Sequence, residues 1–328
     1  MVSGASSVRL TVFASVLVLT ACGSDVTVVE RVGDGPVMAA VVRSDGYIVP
    51  FAAYEDGAWR GPDTEPYPDL ADRPSAWFAD RLDRLGRWRL VTPLGLSDLK
   101  GDPVPISVTG APVEVGTHCQ RAWALPTDLP GTPTPEFTVH RNVGMAFSVG
   151  ASPVRPAELA AAPDETDRAL RFLAPYFNAA EAQEEQRREA SGGYEPRRVG
   201  ADMATGPLAL THLQRVDGDA GMSYYVFEAS RRYAGGPDAP PGCDEATVMT
   251  GWLSGDPSGT LVLLSSDVTM TNCDRTGSAR VQPMGALRLD EQLFVLVVER
   301  HYEGESYAVV RVDPASATTV LTVYGGGC

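Results

Sequence analysis

The sequence predicts a mainly β fold of many short antiparallel strands, with one helical insertion at about residues 164–190. Three observations predict this class. Apolar, β-branched segments recur along the chain, glycine-containing turns separate them, and a single long stretch has convincing helical character. Short strands spaced by about 8 to 12 residues are typical of a sandwich, a barrel or a propeller. The chain length favours a propeller-like arrangement, and two packed β domains are the alternative.

The first strands are predicted to form a three-stranded meander. Two Asp-Gly dipeptides separate its segments, and Asp-Gly supplies the positive φ angles of a tight hairpin. Pro50 has no N–H group to donate, so the middle strand should bulge or lie at an edge there. The predicted strands are residues 37–43, 47–54 and 58–60.

The middle of the chain alternates between strands and proline-rich connections, and a short helix fits residues 75–85. The long helix begins at Asp164, a capping residue, and stops before Gly192. Pro175 should kink or split it, and its second half, which is rich in Gln, Glu and Arg, should face solvent. The middle strands are expected at residues 87–92, 104–109, 113–117, 120–125 and 137–149.

The C-terminal half is predicted to be strand after strand. Asp217-Gly218 should join the first two strands as a tight turn. Residues 293–298 are apolar without alternation, which is typical of a strand covered on both faces. The expected strands are residues 208–216, 222–231, 246–253, 260–271, 279–289, 292–302, 307–312 and 318–324.

The N-terminus is predicted to carry an export signal. An apolar run, residues 10–19, follows the single cation Arg9 and is shorter than the roughly 20 residues of a spanning helix. Its end, Leu19-Thr20-Ala21-Cys22, resembles the lipobox of bacterial lipoproteins. The resemblance implies cleavage before Cys22, acylation of that cysteine with palmitate-like chains, and anchoring on the extracytoplasmic side of a membrane. An ordinary signal peptide that happens to contain a cysteine is the alternative.

This resemblance divides the chain into three parts. Residues 1–21 would be the signal peptide, residues 22–36 a lipidated tether, and residues 37–328 a β-rich extracytoplasmic domain that contains the helix. The chain has 42 acidic against 27 basic residues, and such a surface repels phosphate backbones. The charge therefore disfavours nucleic acid as a partner.

Four further cysteines indicate two disulfides, because an even number in an exported chain without Cys-x-x-Cys is typical of structural bridges. We predict that Cys243 pairs with Cys273 and that Cys119 pairs with Cys328. Sequence leaves the two other pairings open, as well as an unpaired Cys328.

No residue pattern predicts a catalytic or metal centre. The histidines show neither His-x-His nor His-Glu-x-x-His spacing, so no metal or cofactor is expected. Three groups remain as weaker hypotheses: an acid–base pair near a hairpin tip or simply a solvated turn, a partial calcium loop, and tryptophans that line a groove or fill the core. In that order, they are Glu299, His301, Glu303 and Glu305; Asp217, Asp219 and Glu228; and Trp59, Trp77, Trp88, Trp123 and Trp252.

The sequence thus favours a lipid-anchored protein of the bacterial cell envelope that acts as a binding or assembly module rather than as an enzyme. Its expected contacts are the membrane, through the lipid, and an envelope protein or glycan. An envelope hydrolase with an active site assembled from loops is the first alternative. A structural envelope component is the second.

Overall fold

The structure is a computed structural model, and all structural statements concern the residues that it describes. These are residues 37–61, 87–91, 104–117, 120–131, 142–148, 152–154, 157–158, 163–191, 206–233, 245–271, 280–300 and 304–327. The mainly β class is confirmed, since eighteen strands and one long helix make up most of this part of the chain. The predicted helix 75–85 lies outside the described residues.

The strands follow one another in short hairpins, in the regions where the sequence predicts them. In chain order they are β1 (Val37–Arg43), β2 (Tyr47–Glu55), β3 (Ala58–Arg60), β4 (Arg87–Val91), β5 (Val104–Ser107), β6 (Val113–Thr117), β7 (Gln120–Pro126), β8 (Asn142–Ser148), β9 (Ser152–Val154), β10 (Ala157–Glu158), β11 (Ala209–Asp217), β12 (Ser223–Tyr233), β13 (Glu245–Gly255), β14 (Leu261–Thr271), β15 (Arg280–Leu289), β16 (Gln292–Arg300), β17 (Gly304–Asp313) and β18 (Ser316–Gly327). The helix α1 (Pro163–Ala190) lies between β10 and β11.

These strands form three antiparallel sheets. Sheet I has the order β5-β4-β8-β1-β2-β7-β6, with β3 also paired to β2. Sheet II has the order β18-β17-β16-β15-β9, and sheet III has the order β10-β11-β12-β13-β14. The predicted meander of β1, β2 and β3 is confirmed. The bulge predicted at Pro50 is also found, because Ala39 pairs with Ala52 while Ala40 pairs with Pro50.

The sheets stack face to face, and apolar side chains fill each interface. Sheet II is the central layer, which explains why Leu293 to Val298 of β16 are buried on both faces, as predicted. The core between sheets I and II contains Phe51, Tyr54, Phe147, Leu287, Phe294 and Tyr307. The core between sheets II and III contains Val226, Trp252, Val295, Val297, Val310 and Val312.

The described residues do not form the predicted propeller-like arrangement. They form three open sheets in layers, and neither a closed barrel nor a ring of blades is present among them. Packed β layers are closer to the alternative of two packed β domains. The physical reason is that sheets I and III each bury a face against sheet II, so the stack has two outer layers instead of closing on itself.

Helix α1 covers the outer face of sheet III. Its buried side chains Ala169, Leu173 and Phe177 pack against Phe227 and Met249 of the sheet. The helix continues through Pro175, so it is not split there. After Ala182 most residues of the helix are exposed, as predicted. The exceptions are Glu184, which is buried, and Arg188, whose guanidinium donates a hydrogen bond to the Met270 carbonyl of β14. One turn earlier, Glu181 is also buried.

The hairpin turns at one end of the stack hold sheet to sheet. Asp290 and Glu291, the two residues between β15 and β16, both have positive φ, which a tight hairpin of this twist requires. The Tyr54 hydroxyl of sheet I donates to the Asp290 carboxylate over 2.8 Å, and Arg288 forms an ion pair with Asp219 of sheet III. At this end, hereafter the turn end, the layers are therefore closed.

Asp313 makes the turn after β17 sensitive to acid. The Ser316 hydroxyl and the backbone N–H groups of Ala315 and Ser316 donate to its carboxylate and lower its pKa below 3.8. Because the folded state then binds a proton less readily than the unfolded state, this stabilisation is complete above the ordinary pKa. It is lost as pH falls through the lowered value.

We expect Asp313→Asn to reduce the loss of stability below about pH 4, because the amide oxygen still accepts hydrogen bonds but does not titrate. Urea unfolding at several pH values between about 5 and 2 measures this slope. Asp167→Asn, at an exposed helix position, makes the same charge change and is the control. Equal slopes for Asp313→Asn and the wild type would contradict the role of this carboxylate.

Candidate functional site

A polar patch lies on the face of sheet III that is turned toward sheet II. Residues that pair directly across antiparallel strands share one face of the sheet. His212 of β11 pairs with Glu228 of β12, Glu228 pairs with Thr250 of β13, and Thr250 pairs with Asp267 of β14. On β12 this row lies two residues beyond Val226, which belongs to the core between sheets II and III.

The burial pattern shows that sheets II and III separate along this face. On the inner strand β13, Trp252 and Ser254 are buried near the turn end, whereas Ala246, Val248 and Thr250 on the same face are partly exposed. On the opposite face of β13, the side chains of Thr247, Met249 and Leu253 are buried, because helix α1 and its neighbours cover this face. One half of the inner face of sheet III is therefore open.

We call this open half the II/III cleft. Its wall on sheet III consists of His212, Gln214, Glu228, Val248 and Thr250, with Asp267 and Arg232 at the rim. Its wall on sheet II ends in a row of four paired residues that face sheet III. They are Val281, Glu299, Ser306 and Tyr324. Tyr324 is 50% exposed, so the aromatic ring at this edge is accessible.

Two polar atoms on the sheet III wall are buried without a hydrogen-bond partner. The Gln214 side chain is buried between His212 and the core residue Val216, with the residue only 3% exposed, and its Oε1 accepts no hydrogen bond. The Nε2 atom of His212 is also buried and unpaired. Buried polar atoms without partners are costly and uncommon in folded proteins.

Glu228 is held in place by the neighbouring strand. A bulge in β11 between Leu210 and His212 makes Thr211 the extra residue. The Thr211 hydroxyl lies 2.7 Å from Glu228 Oε1 and donates to it. The carboxylate is therefore held by β11, and Glu228 is the register partner of His212. The arrangement can accept hydrogen bonds and bind positive charge.

The structure separates the residues that the sequence groups near the hairpin tip. Glu299 faces sheet III in the II/III cleft, whereas Glu305 faces sheet I, where it is buried and accepts a hydrogen bond from the Tyr307 hydroxyl over 2.5 Å. Ser306 is the register partner of Glu299 and shares its face of the sheet. Glu305 is adjacent to Ser306 on β17 and therefore points to the opposite face, so the two carboxylates diverge. His301 and Glu303 lie outside the described residues, as do His118 and His140.

The partial calcium loop is also separated. Asp217 lies 2.9 Å from Arg215, Asp219 pairs with Arg288, and Glu228 belongs to the II/III cleft. In the described part of the chain, no group of three or more His, Cys, Asp or Glu side chains is placed to hold a metal ion. The carboxylates of this loop are thus used by arginines at the turn end.

Two of the tryptophans, Trp59 and Trp252, serve the core. Trp59 packs against Tyr54 and Phe294 between sheets I and II, and Trp252 is buried between sheets II and III. The core interpretation is confirmed for these two. Trp123 is partly exposed, Trp88 is described only as part of β4, and Trp77 lies outside the described residues.

The cysteines Cys22, Cys119, Cys243, Cys273 and Cys328 all lie outside the described residues, so lipidation and the disulfides stay predictions. The elements that flank the paired cysteines are neighbours, however. The strands β13 and β14 pair along their length, and hairpin β6–β7 contacts β18. No helix in the described ranges is both long and apolar enough to cross a membrane.

The fold and the cleft define a layered, mainly β protein with three antiparallel sheets, one covering helix and a polar cleft. The chain matches no protein-family model, no curated protein and no solved structure.

Proposed function

We propose that the chain is a lipid-anchored protein of the bacterial cell envelope and acts there as a binding module, with the II/III cleft as its binding site. One observation carries the choice of binding: the stack is closed at the turn end, yet half of an inner sheet face is left open and polar. An accessible concave surface with a few convergent polar groups is the usual form of a ligand site.

The proposed location at the membrane surface comes from the sequence. The lipobox-like Leu19-Thr20-Ala21-Cys22 precedes β1 by a short tether, and the 14 residues 23–36 span at most about 50 Å when fully extended. A diacylated Cys22 therefore keeps the β layers close to the membrane surface, because two buried acyl chains hold firmly where one is marginal. The partner is an envelope component, a protein or a glycan, within that reach.

Replacement of the acylated cysteine tests the address. We expect Cys22→Ser to move the protein from the detergent phase to the aqueous phase in fractionated cells and to abolish incorporation of labelled palmitate. Ser24→Ala, two residues further on, is the control and should change neither result. If Cys22→Ser changes neither the partitioning nor the labelling, the proposal that a lipid on Cys22 anchors the protein is refuted.

One observation favours the alternative of an envelope hydrolase, namely the pairing of His212 with Glu228. A carboxylate beside an imidazole can act as a general acid–base pair. This alternative predicts that the isolated protein hydrolyses an envelope polymer or ester and that His212→Ala abolishes the activity. A binding module keeps its ligand without turnover. The third candidate is a structural component. It predicts that substitutions in the II/III cleft change neither ligand binding nor hydrolysis, because the protein has neither activity.

A further inference from the structure

Strand β14 ends sheet III with one edge open. It pairs with β13 on one side, and in the described part of the chain no strand pairs with its other side. Open edges present N–H and C=O groups that accept further strands, unless proline, lysine or a covering segment protects them. β14 has 11 residues, contains neither proline nor lysine, and carries Asp267 as its single charge. We infer that this edge binds an extended segment of a partner protein as a sixth strand of sheet III.

A contact of helix α1 shows which backbone groups of β14 point outward. The Arg188 guanidinium donates to the Met270 carbonyl, so this carbonyl is directed away from β13. Backbone groups alternate in direction along a strand, and the register with β13 has no bulge from Ser265 to Thr271. Val268 and Ser266 therefore also direct their N–H and C=O groups away from β13. They offer four hydrogen-bonding groups to an added strand.

Apolar side chains line this edge on the face of sheet III that α1 covers. Leu261, Leu263 and Val268 of β14 pack against the core under the helix and stay partly exposed. On the helix, Phe172 packs against the same core, and Tyr176 is 44% exposed with its ring 5.2 Å from that of Phe172. We call these five side chains the edge strip. Every second side chain of an added strand lies on this face and meets the strip.

Two arginines show that this side of α1 is turned toward β14. Arg168 lies one helical turn before Phe172, and its guanidinium is next to Gly259 in the turn that leads into β14. Arg187, near the other end of the helix, interacts with the charge of Asp267 on β14. Phe172 and Tyr176 lie between these arginines on the same side of the helix.

The charges favour a basic partner over a second copy of this chain. The formal net charge is −15, so two copies repel each other. Asp267 is exposed and lies on the other face of β14 from the edge strip. The nearby Arg187 donates to Glu184, so a lysine or arginine of the added strand can pair with Asp267 across the ladder. The expected segment therefore alternates apolar residues with polar ones and includes a basic residue.

This inference goes beyond the proposed function. The edge strip lies on the opposite face of sheet III from the walls of the II/III cleft, so neither site requires the other. The backbone edge and the strip together specify a peptide, because only a polypeptide supplies paired N–H and C=O groups with side chains at every second position.

Selection from a library of random nine-residue peptides on the full chain tests the inference, and fluorescence anisotropy then measures each selected peptide. We expect apolar residues at alternate positions with a lysine or arginine between two of them. Methylation of alternate backbone nitrogens should weaken binding at least tenfold in one of the two possible frames and little in the other, because one edge of the peptide pairs with β14. Replacement of the basic residue by glutamate should also weaken binding.

Variants then assign the contacts. Val268→Pro removes an outward N–H group and keeps the ladder with β13, so it should fold and bind the selected peptides at least tenfold more weakly. Val113→Pro, at the first residue of the edge strand β6, is the control and should bind them normally. Asp267→Lys should reverse the charge preference in favour of the glutamate peptides, a result that loss of folding does not produce.

Four results would overturn the inference. Failure to enrich any alternating peptide, or equal affinity of Val268→Pro for the selected ones, would mean that the β14 edge is not a peptide site. Equal affinity after methylation in both frames would mean that backbone pairing is not used. A wild-type dimer in sedimentation that Val268→Pro abolishes would make this edge an interface between two copies of the chain. Val268→Pro changes neither Cys22 nor the walls of the II/III cleft, so these results leave the proposed function unaffected.

Discussion

Glu181→Ala should destabilise the protein by about 2–3 kcal/mol, because it removes the acceptor at the centre of a buried network between α1 and sheet III. The Tyr233 hydroxyl and the Arg231 guanidinium both donate to this carboxylate. Arg231 also donates to Asn178 and lies over the Phe177 ring, 5.1 Å from its centroid. The alanine variant leaves a tyrosine hydroxyl and a cation without their main acceptor.

Breaking a fully buried ion pair costs about 3–5 kcal/mol. We expect the smaller loss of about 2–3 kcal/mol here, because the Arg231 side chain is 20% exposed and water can partly solvate its charge. Chemical unfolding at neutral pH measures the loss. Tyr233→Phe should cost about 1 kcal/mol, since it removes one hydrogen bond and keeps the charge pair. Glu189→Ala, at an exposed position of the same helix, is the control and should stay within about 0.5 kcal/mol of the wild type. A loss no larger than that for Glu181→Ala would show that this half of the helix is not docked.

This network explains why the sequence does not predict the two buried carboxylates of α1. Buried helix faces are recognised by apolar side chains at helical spacing, and Glu181 and Glu184 interrupt that pattern. Their burial depends on partners that are distant in sequence or close on the helix itself. Arg231 is 50 residues from Glu181, whereas Arg187 and Arg188 hold Glu184 and lower its pKa. Only the tertiary fold brings the first partner into place.

The strands themselves are predictable because two-residue alternation and turn residues are local signals. The layered arrangement is not, since an apolar strand such as β16 has the same sequence pattern in a stack as in a blade. Sheets I and III cover its two faces, and both come from segments that precede it in the chain. Local patterns therefore predict the elements but leave open how many layers they form.

The II/III cleft could not be predicted, because its residues meet only through strand register. The sequence predicts that a turn at Asp217-Gly218 joins the strands 208–216 and 222–231, and this leaves their register open. The structure has a five-residue loop, residues 218–222, in which Ala220 and Gly221 both have positive φ. This loop and the bulge at Thr211 place Glu228 opposite His212. Pairing across a sheet changes with each residue of loop length.

Loss of the predicted Cys243–Cys273 bridge should have the largest effect on stability. Cys243 precedes Ala246 by three residues, Cys273 follows Thr271 by two, and Ala246 and Thr271 are register partners. A bridge that closes a loop of about 30 residues stabilises by about 3–4 kcal/mol in the chain-entropy model, and Cys243→Ser should remove this amount.

The experiment uses an exported chain that also carries Cys22→Ser, so that only the four remaining cysteines contribute. Cys243→Ser should expose one alkylatable thiol, and peptide mapping should place it at Cys273. The double variant with Cys273→Ser should be as unstable as the single variant, because both lack the same constraint. A label at Cys119 or Cys328 would instead show that Cys243 is bonded across the layers. In that case the ladder of β13 and β14 does not bring the sulfur atoms together, and the bridge joins sheet III to the region of β6, β7 and β18.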